Sequence, residues 1–498
     1  MQTSIRRTPG VYLTELDAFP PSVVGVQTAI PAFIGYTEKA NKNGQPLLKK
    51  PTLINSTDDF ELYFGQGPDY KFTLAQVTTG PGDFSIGTTK YSLTWTGATK
   101  FGLYNAIRLF YSNGGGPCYI VSVGDYSAAV AAGPLEAGME AISHETGPTM
   151  LLSPDAMFLA TGAYSTLISK MLAQANNKQD RVALLDVLGG GDPDTANITS
   201  HIDQFRGEVG ANFLNYGIAY FPWLHTSIVQ PDEIDFTNID DTTVLITALK
   251  AEAVLLYSEP RLAAVNTLID TLGTATTPDL ILTASQDVGA AVPLLFSIYT
   301  IMRRKLNLLP AAAAMAGIYT MVDSTRGVWK APANVSLTSV TSPAVYIDDN
   351  AQAEMNVPLH GKAVNALRAF PGQGVMVWGG RTLDGNSRDY RYINVRRTLI
   401  YIEQSLKLAA SSFLFEPNNA NTWVSVKGMI DNFLMSVWQS GGLMGDKASD
   451  AYQVTVGLGQ TMTGMDILDG YMRIQVLLQL LRPAEFIEIT FQQKMQGV

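Results

Sequence analysis

The sequence predicts a multidomain protein of mixed α/β and α+β class, and three observations carry that expectation. A chain of 498 residues holds about three domains at roughly 150 residues each. Between 130 and 350, helical stretches alternate with short apolar runs such as 182–187 and 216–221, the signature of an α/β domain. The last third reads as compact α+β, and both ends of the chain read as extended.

The elements follow in order. Thr8-Pro9-Gly10 and Pro20-Pro21 bracket a strand-forming stretch, 11–15, too short to stand alone, so residues 1–22 are expected to form an extended arm. Residues 22–36 suggest one or two short strands, with Pro31 placing the second near a sheet edge. Ser56 and Asp59 make a capping box for a helix that Gly65 ends, and 66–100 reads as loop with short strands. Leu103, Ile107 and Phe110 share one face of a helix over 103–111; after Gly114-Gly115-Gly116 comes a strand over 118–123. Beyond 350 the expected order is helix 361–370, strand 374–378, strand 390–395, helix 396–407 and helix 421–438. Two strand-like runs, 471–478 and 484–492, close the chain. In the second, Ile487, Ile489 and Phe491 share one face.

Composition excludes several functions. With 34 Lys+Arg against 44 Asp+Glu, the net charge of −10 offers no basic excess for a nucleic acid. Charged residues make up only 16%, below the roughly 25% of ordinary soluble domains, which points to a surface covered by partners. Cys118 is the single cysteine, so no disulfide or CxxC pair exists; its apolar surroundings place it in the core. Arg6 and Arg7 precede Thr8-Pro9-Gly10 instead of an apolar run, so no secretory signal is expected. The apolar stretch 288–302 contains Pro293 and stops at Arg303-Arg304-Lys305, and 306–322 is broken by Asn307 and Pro310. Neither reaches the roughly 18 clean residues of a membrane span, and no membrane insertion is expected.

Screens for chemistry return little. His144, His201, His225 and His360 form no HExxH or i, i+4 pair, so neither a metal nor another cofactor is expected. Ser85, in 82–87, misses the GxSxG spacing by one residue, and neither GxxxxGK[ST] nor GxGxxG occurs. Two candidates for an enzyme site are left. Asp186 and the turn Gly189-Gly190-Gly191-Asp192 follow a strand, where open α/β sheets place ligands. Asp323 with Arg326 has the form of an acid beside an orienting cation. Both also read as a turn and an ion pair. A hydrolase-like α/β enzyme in the middle region is therefore the alternative reading. Residues 355–498 hold 13 Lys+Arg against 11 Asp+Glu, whereas 1–354 hold 21 against 33. The arginines of the basic part, Arg381, Arg388, Arg391, Arg396 and Arg397, either face an acidic partner or pair locally with Asp384, Asp389 and Glu403.

Pro9-Gly10-Val11-Tyr12 with Glu15, and 106–110 through Gly114-Gly115-Gly116 to 118–121, are followed later by a series of motifs. These are 326–334, Asn365-Ala366-Leu367-Arg368 with Pro371-Gly372, 378–383, 392–397, 415–419 and 483–487. In this order they resemble the tail sheath proteins of contractile phages and extracellular contractile injection systems. The resemblance covers 1–125 and 320–498, and between them only 216–224.

It implies a sheath core built from 23–130 and 351–482, a more variable, outward-facing middle α/β domain at 131–350, and linker arms at 1–22 and 483–498. The arms add strands to neighbouring subunits, with Val11, Tyr12, Leu13, Ile487, Ile489 and Phe491 as the strand residues. It further implies a structural protein, not an enzyme, that forms stacked hexameric rings around an inner tube. Contraction from a metastable extended state drives that tube through a target envelope. The implied partners are other copies, the inner tube protein, and baseplate and tail terminator or cap proteins. Synthesis would be in the bacterial cytoplasm, with assembly into a phage tail or injection particle. The C-terminal domain would face the tube, with Arg388, Arg391, Arg396 and Arg397 as contacts whose replacement loosens the fit without unfolding the domain.

Overall fold

The computed structural model describes residues 23–96, 100–359 and 361–489. These divide into two compact units, one of 27–400 with the segment from 482 on, the other of 23–26 with 401–481. The class is the mixed α/β expected.

The larger unit is organised by an eight-stranded sheet. Its strands are β1 (Pro31–Gly35), β2 (Thr52–Ile54), β3 (Cys118–Ser122), β4 (Met150–Leu152), β5 (Val182–Asp186), β6 (Gly217–Phe221), β7 (Asn365–Phe370) and β8 (Gly374–Val377). They lie in the order β8-β7-β6-β5-β4-β1-β3-β2. The six inner strands are parallel, and the edge strands β8 and β2 run antiparallel to their neighbours. Segments expected as separate parts of the chain thus share one sheet.

Alternation along the strands builds two cores. Phe33, Ile120, Leu152, Leu184, Ile218 and Leu367 point to the side of helices Leu103–Ser112 and Ala312–Arg326. Ile34, Val121, Leu151, Leu185, Ala219 and Ala366 point to the side of Ala132–Ser143, Thr161–Lys178 and Ile198–Glu208. Both faces being covered explains why inner strands read as unbroken apolar runs.

Three expectations are corrected here. Pro31 stands in a central strand, at its first residue, where the missing N–H costs no ladder bond. The expected helix over 361–370 is strand β7, because its Ala366 and Leu367 are buried on opposite faces between β6 and β8. Packing overrides the helix preference of Ala, Leu and Arg. The expected strand 390–395 makes a single bridge, Arg381 to Tyr392, before helix Ile393–Ala410 begins.

A third core joins distant stretches. Strands Phe72–Val77, Phe84–Ile86 and Thr89–Trp95 pack Phe72, Leu74 and Leu93 with Leu249, Val288 and Ile298 of helices Thr242–Leu256, Pro278–Ala291 and Leu294–Leu306. The last two helices meet at 116° around Pro293, and no single helix among the described residues is long and apolar enough to cross a membrane.

In the smaller unit, helix Ala420–Gln439 starts at Asn419, whose side chain accepts from the Asn421 and Thr422 N–H groups. Met429, Ile430, Phe433 and Leu434 form its buried stripe. Strands β9 (Tyr452–Val456) and β10 (Ile474–Leu478) make a two-stranded antiparallel sheet. The Tyr401 ring lies 5.9 Å from Phe433, and Val26 N–H donates to Ser405 Oγ at 3.1 Å.

Candidate assembly site

Strand order reverses between β1 and β4, and the crevice beyond their carboxyl ends is where an open α/β sheet would take a ligand. The chain fills this place itself. Asp155, fully buried, accepts from Tyr36 N–H at 2.7 Å through Oδ2, and from Gly102 and Leu103 N–H at 2.6 and 3.2 Å through Oδ1. It thereby caps helix Leu103–Ser112, which has no side-chain cap of its own. Burial raises its pKa to about 6, although the three N–H bonds pull it down.

Asp186 plays the same part beside it. Its Oδ1 accepts from Ala311 and Ala312 N–H at 2.7 and 2.9 Å, capping helix Ala312–Arg326, and burial raises its pKa to about 7. The void between these groups, lined by Gly102, Pro154, Asp186 and Ala312, measures about 20 Å³, room for one water. In the loop that follows, Asp192 meets His201 at 3.0 Å and accepts from Asn197 at 2.8 Å, which hold it near a pKa of about 2. The Trp223 ring packs against Gly190 and Gly191. Asp186 is therefore a helix cap, and the void beside it has room for one water.

The second enzyme candidate dissolves as well. Asp323 pairs with Arg397, at 2.6 and 2.9 Å in a two-point contact, with both side chains at most 5% exposed. Arg397 also donates to Thr28 O at 2.9 Å and lies over the Tyr319 ring. Arg396 is buried too, donating to Tyr216 OH at 2.6 Å and stacking on that ring. This corrects the nomination of Arg396 and Arg397 as tube contacts, since neither offers its charge to a surface. Arg391 is half-buried and donates to Ser387 O at 2.8 Å; Arg388 is exposed.

The C-terminal segment carries the remaining polar cluster. Glu485 accepts from Arg381 Nε at 2.9 Å and Nη2 at 2.5 Å, from Asn356 Nδ2 at 2.7 Å and from Tyr392 OH at 3.2 Å. Burial pushes this carboxyl up, but the hydrogen bonds from Arg381 and Asn356 and the guanidinium charge hold it below its ordinary range. Arg381, 3% exposed, is fixed through its backbone: its N–H donates to Asn365 Oδ1, while Asn365 Nδ2 donates to Arg381 O and to Ala219 O of β6. Immediately beyond, Phe486, Ile487 and Ile489 are exposed. The strand expected over 484–492 is absent from its described part, 484–489. Phe491, together with Val11, Tyr12 and Leu13 of the N-terminal arm, lies outside the described residues.

Comparison with known proteins gives this geometry a setting. Residues 386–494 match the phage tail sheath C-terminal domain. Tail sheath proteins of Vibrio phage KVP40 and Burkholderia phage BcepMu are each 27% identical, over 135 and 147 residues. These alignments take in 27% and 28% of this chain but only 20% and 31% of those relatives. Two solved structures match almost end to end. The sheath complex of the extracellular contractile injection system PVC, in its contracted state, is 27% identical with a TM-score of 0.61, covering 99% of both chains. The helical sheath of the anti-feeding prophage, also contracted, is 28% identical with a TM-score of 0.61, covering 98% of this chain and 100% of that one.

The chain has the fold and the C-terminal domain of a contractile sheath protein.

In this chain the matched C-terminal domain takes in most of the smaller unit and also Glu485. It shows an apolar surface: Leu408, Leu414, Phe415, Val424, Leu468 and Leu477 are all exposed. Nothing local in the sequence links Arg381 to Glu485, which stand 104 positions apart. Asp155 was missed altogether; its partners are backbone N–H groups, which leave no mark on composition.

Proposed function

We propose that the chain is the structural subunit of a contractile sheath, assembled as stacked hexameric rings around an inner tube and contracting to drive that tube through a target envelope. The observation that carries this reading is the match along the whole chain to sheaths of two injection systems. The partners are other copies, the inner tube protein, and baseplate and terminator proteins. The subunit is made in the bacterial cytoplasm and works in a phage tail or injection particle. It acts without catalysis, a reading supported by the filling of the sheet crevice with Asp155 and Asp186.

Strand exchange joins the copies. A two-stranded sheet is at best marginally stable alone, and β9 and β10 gain from further strands. The arms 1–22 and 483–498 supply those strands, main-chain hydrogen bonds giving the affinity and alternate side chains the register. Arg388 and Arg391 are left as candidate tube contacts of a C-terminal domain that faces inward, with the middle of the chain outward. Negative-stain electron microscopy of the purified chain tests the assembly. Hollow tubes from the full chain, and only small particles from a chain lacking residues 1–20, are the expected result. Monodisperse small particles from both would overturn it.

A further inference from the structure

The C-terminal segment changes character at one residue. Up to Leu481 the chain belongs with the smaller unit, and from Arg482 on with the larger. Within 482–489, the hydrogen bonds to described residues all end on the Glu485 carboxylate. Arg482, Ala484 and the residues from Phe486 to Ile489 are exposed. The carboxylate itself is 18% exposed, against a guanidinium that is 3% exposed and held on both sides of its peptide by Asn365.

We infer that Glu485 is the anchor of the C-terminal arm: it fixes the point from which the apolar run starting at Phe486 is offered to a second copy, and passes the pull on that run to the eight-stranded sheet. The route is continuous in hydrogen bonds. It runs from Glu485 to Arg381, from Arg381 to Asn365 of β7, and from Asn365 to Ala219 of β6. The physical case has two parts. A two-point pair between carboxylate and guanidinium is both strong and directional, so it sets the angle of exit as well as the place. An arm whose root is fixed also loses less freedom on pairing than one free from Leu481 onward, which strengthens its binding without adding a contact. Glu485 is a positioning residue here, because it touches its own chain and not the neighbour.

This inference rests on the reading of the C-terminal segment as a link between copies, and the experiment separates the two. The full-length chain is compared with a chain ending at Glu485, with Glu485→Ala and with Glu485→Gln. Sedimentation gives the critical concentration for tube formation, and thermal unfolding of dilute subunit reports the fold. The shortened chain is expected to form no tubes. Glu485→Ala is expected to raise the critical concentration about tenfold, roughly 1.4 kcal/mol of lost association, and also to lower the melting midpoint, because it leaves the Arg381 guanidinium buried without its counter-charge. Glu485→Gln, which loses the charge but keeps one acceptor oxygen for Asn356, should fall between. For Glu485→Gln, a residue that only supports the fold would move melting and assembly together.

Tubes at the ordinary critical concentration from Glu485→Ala, with none from the shortened chain, would overturn the anchor and leave the link standing. Tubes from the shortened chain would overturn the link, and the anchor with it. Should Glu485→Ala melt early, Glu485→Gln decides: a raised critical concentration at an unchanged midpoint supports the anchor, and an unchanged one overturns it.

Discussion

The two units use their side chains in opposite ways. The larger turns its charges inward, where Asp155 and Asp186 cap helices, Arg397 closes on Asp323, and Arg381 holds Glu485. Its sheet is covered on both faces. The smaller unit, 401–481, has a two-stranded sheet and leaves Leu408, Leu414, Phe415, Met465, Leu468 and Leu477 in water. Apolar side chains are exposed on the larger unit as well, Leu62, Leu255 and Leu359 among them, so the contrast lies in the buried charges and the two-faced core.

The sharpest way to break this comparison is at the Arg397–Asp323 pair. Arg397→Ala leaves the Asp323 carboxylate buried without its counter-charge, which is expected to cost about 3–5 kcal/mol of subunit stability. Arg388→Ala, on an exposed side chain of the same basic cluster, should stay within about 0.5 kcal/mol. Urea unfolding of both variants measures the contrast. Equal midpoints would mean that the inner and outer arginines are not distinct.

The second test uses pH. Burial raises Asp155 to about 6 and Asp186 to about 7, from an ordinary value of 3.8. Between 3.8 and those values the folded state binds protons that the unfolded chain does not. Their contribution is therefore fully favourable below pH 3.8 and is lost as pH rises through 6 to 7. Asp155→Asn removes the titration while keeping an acceptor. Its stability relative to the parent should improve from pH 4 to 7, by about 3 kcal/mol at most, because each tenfold difference in proton affinity between folded and unfolded chain is worth about 1.4 kcal/mol. A difference between the two proteins that is flat across this range would show that Asp155 titrates as an ordinary carboxyl.

How much of this was legible in the sequence depends on the range of the interaction. Local signals succeeded: Ser56 does cap helix Thr57–Phe64, accepting from Asp59 N–H, and Gly65 at φ 82° does end it. Strand Cys118–Ser122 and helix Ala420–Gln439 also lie within a residue of their expected bounds. Long-range choices failed. Whether Ala366 and Leu367 become helix or strand is decided by β6, and the core uniting Phe72 and Leu93 with Leu249 and Val288 leaves no periodicity to find. The arginines were recognised as a cluster, yet which of them turn inward depends on Asp323 and Tyr216, far along the chain. The motifs that revealed the sheath resemblance carry such packing information in a form that spacing rules do not.

The smallest effect is expected at Phe415, on the surface of the smaller unit. This phenylalanine is fully exposed and sits at φ 68°, in the left-handed region that disfavours a bulky L-residue by about 1–2 kcal/mol. In the free subunit its ring buries nothing that would offset the strain. Phe415→Gly relieves the strain but enlarges the freedom of the unfolded chain, so the net gain in subunit stability should be about 0.5 kcal/mol. If the ring is there for a neighbour, the same variant must raise the critical concentration for tubes while the subunit becomes more stable. Opposite signs in urea unfolding and sedimentation would place Phe415 at a contact between copies. A stabilised subunit that assembles as before would make it a strained surface residue and nothing more.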